Sequence, residues 1–262
     1  MEKTRKLPVW SNKLAAWIIP VVVVILWAIW GTTQSSSNSL LPTIEQVWKG
    51  FLRLLKDGTL WENIKISTFR AFKGLFWGGA IGFTLGVING ISRKIDHLLN
   101  NPIQMVRNVP YLAMMPLILV WFGIGETTKT ILIAIGTFFP IYLNTYSGIR
   151  YIDSGLIEMS KVYGIKNKDL YLHVIFPGAL PSIMIGLKQS LGRMWVILIV
   201  AEQVAAKSGI GYMVTNAREF MLMDIIVLGL ILYAILGSLS DIVTTFLERK
   251  LLKWRYSTER RS

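Results

Sequence analysis

Cysteine is absent from this sequence, and charged residues are scarce. Without cysteine the chain can form no disulfide, no thiolate metal site and no cysteine nucleophile. Charged residues make up 16% of the 262 residues and hydrophobic residues 53%, with a mean hydropathy of +0.50. This balance indicates a membrane protein rather than a soluble domain.

Catalytic motifs are absent as well. The two histidines, His97 and His173, have no metal-ligand partner at helical spacing. The sequence contains no H-E-x-x-H, no G-x-S-x-G and no phosphate-binding G-x-x-x-x-G-K-[ST]. We therefore expect no catalytic residue, no metal site and no cofactor in this chain. An intramembrane enzyme is disfavoured because no nucleophile is accompanied by a base.

Acidic residues are the scarcer of the two charges, because 15 Asp and Glu stand against 28 Lys and Arg, a net charge of +13. The basic residues gather in short segments between apolar stretches, mainly on one side, as with Arg93, Lys94, Arg150 and Lys161. That bias orients membrane proteins with their basic segments inside. We expect contact with a lipid bilayer, no nucleic acid, and both termini in the cytoplasm.

Long apolar stretches predict an all-α membrane protein, since the strands of a barrel would alternate in polarity instead. Six stretches approach or reach the roughly 20 residues that a helix needs to cross a bilayer. They are residues 14–31, 67–91, 101–122, 130–148, 182–206 and 225–246. A cleavable signal peptide is the alternative for the first stretch, although it lacks a convincing A-x-A site.

The N-terminal part of the chain contains two predicted helix starts after the first stretch. Thr43 with Gln46 and Thr59 with Glu62 both have the capping-box spacing. The first of these helices is amphipathic, so we expect it to lie on the outer membrane surface and to end at Asp57-Gly58. The predicted organisation is an anchor span with this external helix, 1–66, a five-span core, 67–246, that contains the loop 149–181, and a basic tail, 247–262.

A glycine occurs at every fourth position along the second stretch. In lipid, small residues at this spacing allow another helix to approach to backbone contact. We predict a helix-packing seam here, and a ligand groove is the alternative. The residues are Gly74, Gly78, Gly82, Gly86 and Gly90.

Polar residues inside the third and fifth stretches are candidates for a translocation path. The third stretch is broken by prolines and carries Arg107 and Asn108, and irregular backbone at depth often lines a cavity. The fifth carries Gln189 and Arg193. An ionisable residue inside a span is a functional hypothesis by default, but snorkelling, or pairing of Arg193 with Glu202, stays open. Further candidates are Lys188, and Arg70 with Lys73 for attracting an anion at the outer end of the second stretch.

The longest polar interruption in the second half lies between the fourth and fifth stretches, and we call residues 149–181 the signature loop. Asp153 or Ser154 can cap a short helix, and Gly164 can end it in the left-handed conformation. A second short helix can start at Asn167 and is expected to stop near Pro177. Composition alone favours an ordinary amphipathic loop between two spans.

The signature loop resembles a motif of the membrane subunits of binding-protein-dependent ABC importers, E-A-A-x-x-x-G, nine residues, I-x-L-P. Glu158, Gly164 and Pro177 match it at the same spacing, and Met159 and Ser160 stand at the two alanine positions. Further segments resemble the permeases for aliphatic sulfonates, nitrate and taurine. These segments are L-L-P-T-I-E-Q-V-W at 40–48, V-P-Y-L-A-M-M-P at 109–116, F-F-P-I-Y-L-N-T at 138–145 and N-A-R-E-F at 216–220.

The resemblance implies a multi-pass permease of a bacterial plasma membrane, without covalent chemistry of its own. Two membrane subunits, expected here to be identical, would enclose the path, two cytoplasmic ATPases would bind ATP and Mg, and an extracytoplasmic binding protein would deliver the substrate. The residues implied to couple to the ATPase are Glu158, Met159, Ser160, Gly164 and Pro177. The expected substrate is an aliphatic sulfonate, with taurine, nitrate or a thiamine precursor as alternatives. An autonomous secondary transporter is the alternative of another class, although no inverted repeat is evident.

Overall fold

The computed structural model describes residues 9–33 and 41–254, and this part of the chain is helical throughout, without a strand. Parts of the predicted N-terminal basic segment, of the loop after the first stretch and of the basic tail lie outside the described residues. In chain order the helices are α1 Val9–Thr33, α2 Ile44–Lys56, α3 Thr59–Ile91, α4 Arg93–Arg107, α5 Met115–Phe122, α6 Glu126–Arg150, α7 Ser154–Val162, α8 Asn167–Leu170, α9 Phe176–Ala205, α10 Ile210–Glu219 and α11 Met223–Leu251. A 3-10 helix, Tyr111–Met114, precedes α5, and a π-helical turn, Tyr171–Ile175, joins α8 to α9.

Four helices of the described chain are long and apolar enough to cross a membrane: α3, α6, the continuous helix Asn167–Val204, and α11. A fifth span exists only if α4 and the segment Tyr111–Phe122, which are bent by 84° relative to one another, count as one. The apolar part of α1, Ile18–Gly31, is shorter than these spans. The all-α membrane fold is confirmed, whereas the count of six spans is not.

Helix α6 lies at the centre of the bundle, packed between α3 and α9. Helices α10 and α11 pack against α9, and α2 packs against α11. The larger hydrophobic core lies where these helices meet and includes Leu132, Ile133, Met194, Ile197 and Leu198. This arrangement leaves one side of α9 uncovered within a single chain.

The glycines of α3 lie against α6. A Cβ atom added to Gly82 would stand 2.6 Å from the carbonyl oxygen of Phe138, and one added to Gly86 would stand 2.8 Å from Cβ of Thr145. These distances leave room for a hydrogen atom but not for a side chain. Glycine at every fourth position therefore lets the backbones of α3 and α6 come into close contact. Gly74, Gly78 and Gly90 meet Ile133, Ala134 and Ile149 in the same manner. Helix α6 thus packs against all five glycines, as in a helix-packing seam, and Gly78 also lines an apolar cavity beside α6.

The helix start at Thr43 has the predicted capping box. The Thr43 hydroxyl accepts a hydrogen bond from the Gln46 amide at 3.2 Å, and Gln46 Oε1 accepts one from the Thr43 amide at 2.8 Å. The second predicted capping box is wrong, because Gly58, at φ 74°, occupies the N-cap of α3 without a side-chain cap. Thr59 is already inside the helix, and its hydroxyl donates back to the Leu54 carbonyl. Helix α3 therefore runs across position 66, where the sequence suggested a boundary.

The third predicted span is a bent segment rather than a straight helix. Helix α4 is polar and ends at Arg107, with Asn108 at its C-cap. Pro110 lies between α4 and the 3-10 helix, and α5 begins one residue before Pro116. Proline favours helix beginnings and disfavours a helical residue before it, which accounts for the break in the chain at this point.

The prediction that the helix after Asn167 stops near Pro177 is wrong. The backbone continues from Asn167 to Val204 as one helix. A π-helical turn allows this, because the Phe176 amide donates to the Tyr171 carbonyl five residues earlier. The widened turn accommodates the Pro177 ring, which has no N–H to donate and would crowd a regular turn.

Candidate functional site

The signature loop folds as a short helix that projects from one end of the bundle. The Asp153 carboxylate accepts a hydrogen bond from the Gly155 amide at 2.8 Å and caps α7. Gly164 follows α7 with φ 72°, a conformation that favours glycine over any residue with a side chain. The Ile165 amide donates to the Ser160 carbonyl, so the chain reverses tightly and enters α8. We call this end of the bundle the signature end.

The predicted coupling residues differ in their exposure. Glu158 and Met159 are exposed on α7, with Met159 at 53%. Ser160 is buried at 5%, and its hydroxyl donates to the Leu156 carbonyl inside the same helix. Pro177 is partly buried at the start of α9 rather than on the projecting tip. The side chains of Glu158 and Met159 are therefore exposed, whereas the Ser160 side chain points inward.

A small hydrophobic cluster joins α7 to the long helices. Ile149 at the end of α6, Leu170 in α8, and Ile175 and Ala179 near the start of α9 form its buried centre. Ile157 of α7 packs against them together with Val87 of α3 and Ile152. A force applied to α7 is thus passed directly to the ends of three spans, since packed side chains transmit displacement.

Helix α9 has an exposed face that carries polar side chains near the middle of the span. Lys188, Gln189 and Arg193 are exposed there between Ile185 and Val196. On the same face, a Cβ atom added to Gly192 would meet no atom within 4 Å. Within the described chain the one close polar neighbour is Asn144 of α6, whose amide nitrogen lies 3.5 Å from Gln189 Oε1. Lys188 lies near the middle of the continuous helix Asn167–Val204.

Arg107 and Asn108 are also exposed, at the break that follows α4. Among the described residues, no hydrogen bond or ion pair joins either of them to Gln189 or Arg193. The sequence candidates for a path therefore form two separate exposed groups in one chain. Next to the break, an apolar cavity of about 540 Å³ lies between α3, α6 and the bent segment, with Trp77, Val106, Met114 and Phe138 among its lining residues.

A buried charge network lies at the opposite end of the bundle, and sequence reasoning did not find it. Glu202 of α9 is fully buried, and its carboxylate accepts hydrogen bonds from Ser67 Oγ at 2.8 Å and from Arg70 Nη1 at 2.8 Å. The Gly211 amide at 2.9 Å and the Tyr233 hydroxyl at 3.2 Å complete its shell. The network ties α3, α9, α10 and α11 together at this end.

Arg70 links this network to α6. Its guanidinium donates to both carboxylate oxygens of Glu126 at 2.6 Å, and Glu126 also accepts from the buried Lys129 ammonium at 2.7 Å. With these partners and Ser208, Arg70 has no donor left for a substrate anion, so the expectation that it attracts one is wrong. The alternative in which Arg193 pairs with Glu202 is not found among the described residues, because Arg70 takes that place.

Two glycines make room for the Glu202 carboxylate. Gly209 has φ 107°, and a Cβ atom there would collide with Glu202 Oε1, while one on Gly211 would stand 2.6 Å from Glu202 Cβ. In the segment S-G-I-G, the Gly211 amide donates to the Glu202 carboxylate, whereas the Gly209 amide donates to Asn63 Oδ1 and the Ile210 amide to Ser67 Oγ. The one sign of this network in the sequence was an acidic residue inside a predicted span. The sequence did not indicate its partner, because Arg70 lies 132 positions away.

A bundle of apolar helices with a capped helix projecting from one loop is typical of the membrane component of a transporter. A family model described as "binding-protein-dependent transport system inner membrane component" matches residues 78–253. The chain belongs to this family. It is accordingly a multi-pass component of the inner membrane and the non-catalytic permease subunit of an ABC importer, a class that works with an ATPase and a substrate-binding protein.

Two relatives show how closely the chain follows one branch of the family. It is 49% identical to the putative aliphatic sulfonates transport permease protein SsuC of Escherichia coli strain K12, over 94% of this chain and 93% of the relative. It is 33% identical to the taurine transport system permease protein TauC of the same strain, over 90% of this chain and 87% of the relative.

Solved structures support the fold. An inward-facing MetNI methionine ABC transporter aligns with a TM-score of 0.59 at 20% identity, covering 77% of this chain and 98% of that chain. An amino acid ABC transporter with histidines aligns with a TM-score of 0.57 at 18% identity, over 76% of this chain and 98% of that chain. At such low identity the likeness concerns the fold alone.

Proposed function

We propose that this chain passes an aliphatic sulfonate from a binding protein into the cytoplasm. The observation that carries the proposal is the exposed polar face of α9, with Lys188, Gln189 and Arg193 near mid-span. Charged side chains are expensive in hydrocarbon, so this face needs water or protein against it. Relatives at 49% and 39% identity are named for aliphatic sulfonates, which supports an anionic substrate of that class.

The uncovered face of α9 is the place for a second copy of the chain. Two copies related by a two-fold axis would bring their α9 faces together and enclose a water-filled path. Arg193 from each copy would then offer a guanidinium to a sulfonate, and Gln189 a hydrogen-bond donor. Arg107 and Asn108 would line the same path at the break after α4.

Helix α7 is the contact for the ATPase subunits, which bind ATP and Mg while this chain binds neither. Its exposed tip carries Met159, Val162 and Tyr163 as apolar contacts and Glu158 as a charge for a basic residue of the ATPase. Ser160 contributes by stabilising α7 from inside, Gly164 by making the turn, and Pro177 by starting α9. Closure of the ATPases would move α7, and the hydrophobic cluster beneath it would tilt α6 and α9 between inward and outward openings.

This assignment places the signature end and both termini in the cytoplasm, and the binding protein at the Glu202 end. Taurine, nitrate or a thiamine precursor as substrate would leave the architecture unchanged, as the 33% identity to a taurine permease illustrates. An autonomous secondary transporter would accumulate substrate without an ATPase, so uptake measured without ATP distinguishes it from an ABC importer.

The test is uptake by proteoliposomes that contain this chain with its ATPase and binding protein. Labelled alkanesulfonate should accumulate only with ATP, and unlabelled alkanesulfonate should compete better than taurine or nitrate. Glu158→Arg should abolish uptake while the chain stays folded, because the new positive charge would repel the basic residue of the ATPase that Glu158 is proposed to contact. Glu248→Arg, at the same end of α11, is the control and should retain uptake. Accumulation without ATP, or full activity of Glu158→Arg, would contradict the assignment.

A further inference from the structure

Helix α4 has one buried side chain, and it is a carboxylate. Asp96 is 8% exposed, whereas the other side chains of α4 are exposed or partly exposed, including Leu98 and Met105 at 73% each. A polar helix normally turns its apolar residues inward. An acid in that place, one turn after the start of α4, indicates a specific partner, since an unpaired buried charge is strongly unfavourable.

The partner is Arg150, the last residue of α6. Its Nη2 lies 3.4 Å from Asp96 Oδ2, and the two side chains are 24% and 11% exposed. Tyr146, one turn earlier on α6, also lies against Asp96. Arg150 is three residues before Asp153, the cap of α7. The ion pair therefore sits at the base of the helix that projects toward the ATPase.

Few other contacts hold α4 to the bundle. In the described chain it packs mainly on α3, to which it is joined at Ser92, and its packing on α6 is slight. Beyond α4 lie Arg107, Asn108 and the 84° bend into Tyr111–Phe122. The 3-10 helix and α5 pack against α6, with Met115 and Ile118 buried in the core. Helix α4 therefore lies between two anchored segments, and among the described residues the pair of Asp96 and Arg150 is its one ion pair with α6.

We propose that Asp96 and Arg150 form a joint that links α7 to the bent segment 93–122. The inference rests on the proposed function and identifies two positioning residues within it. When the ATPases displace α7, the end of α6 moves with it through the Ile149 cluster, and Arg150 draws α4 along by Asp96. The break at Asn108–Pro110 takes up the bending and shifts Arg107 relative to the α9 face. Neither residue contacts the substrate.

The joint predicts uncoupling when the charge pair is broken. In the reconstituted complex, Asp96→Asn and Arg150→Gln should retain at least half of the ATP hydrolysis stimulated by the binding protein. Alkanesulfonate transported per ATP hydrolysed should fall at least fivefold. Arg93→Gln removes an exposed basic residue of the same helix and is the matched control, which should keep the wild-type ratio. A wild-type ratio, within twofold, in both single variants would overturn the joint.

A second measurement separates a mechanical link from a merely structural one, and it uses the absence of cysteine. In Asp96→Cys/Arg150→Cys, a short bifunctional thiol reagent replaces the ion pair by a covalent link without charge. Cross-linked protein is identified by mass spectrometry. It should transport at least three times as much alkanesulfonate per ATP hydrolysed as the same variant whose thiols are capped with a monofunctional reagent. Equal ratios for joined and capped protein would overturn the proposal.

The two proposals fail in different ways. If the wild-type complex hydrolyses ATP but accumulates no alkanesulfonate, taurine or nitrate, the proposed function is wrong. If the wild-type complex accumulates alkanesulfonate and the single variants do so equally well per ATP, only the joint is wrong.

Discussion

At the scale of single residues, the most deeply buried ion pair among the described residues is that of Glu202 and Arg70. The two side chains are 0% and 6% exposed, and their charged atoms are 2.8 Å apart. The Gly211 amide and the hydroxyls of Ser67 and Tyr233 complete the shell of Glu202, so the carboxylate is fully satisfied where it lies. Breaking such a pair from one side costs far more than losing a surface pair, because the remaining charge stays buried.

The Glu202→Gln variant should therefore be less stable by about 3–5 kcal/mol, the usual effect of breaking a buried ion pair from one side. The change keeps the shape of the side chain but removes the charge that Arg70 and the Gly211 amide bind. Thermal unfolding in detergent, followed by intrinsic tryptophan fluorescence, measures the loss.

The exposed pair of Glu45 and Lys49 supplies the control for that measurement. These side chains are 73% and 70% exposed and lie one turn apart on α2. Glu45→Gln makes the same chemical change in solvent, where ion pairs contribute little. Its melting temperature should equal that of the unmodified protein, and an equal loss in both variants would show that the buried pair has no special role.

At the scale of elements, the four-residue glycine spacing of α3 was informative because it depends on one helix alone. The spacing indicates close helix packing without naming the partner helix. Packing decided that α6 is the partner and that its carbonyls lie against the glycines. The break after α4 was visible from its prolines, whereas continuation through Pro177 was not, because a π-helical turn has no clear sequence signal.

The glycine seam predicts a large difference between two identical substitutions. Gly82→Ala places a methyl group 2.6 Å from the Phe138 carbonyl oxygen, so α3 and α6 must separate. Such overpacking typically costs about 1–3 kcal/mol. Gly237→Ala lies within α11, where a Cβ atom would meet nothing within 4 Å, and it should be neutral or slightly stabilising. Melting temperatures of the two variants measure the difference, and similar values would contradict the close approach.

At the scale of the whole molecule, one chain is an incomplete transporter. The α9 face leaves Lys188, Gln189 and Arg193 without enclosure, and α1 touches the rest of the described chain mainly at α2. Both features are reasonable only when lipid and another protein cover them. In the proposed dimer, a path between two copies would place water and protein against the charged face of α9.

The dimer predicts a specific cross-link. Because the chain has no cysteine, Gly192→Cys introduces a unique thiol at the centre of the α9 face. Oxidation in membranes should give a covalent dimer on a non-reducing gel. Phe76→Cys, at a 66% exposed position on α3 with bulky aromatic neighbours, is the lipid-facing control and should remain monomeric. A dimer through position 76 but not through position 192 would place the second copy on the other side of the molecule.

The sequence by itself determined the membrane class, the helical fold and the family, because apolar runs and the Glu158, Gly164 and Pro177 spacing are local properties of the chain. It also fixed where a loop helix could begin and end, through Asp153 and Gly164. Only the tertiary structure decided which side chains are exposed and which form hydrogen bonds or ion pairs with other residues. Ser160 turned inward, Arg70 was bound by two acids, and Asp96 met Arg150, since each outcome depends on residues that approach only when separate helices pack. Charge pairs over such separations leave no periodic signal in a single sequence, whereas hydrophobic runs, caps and turns do.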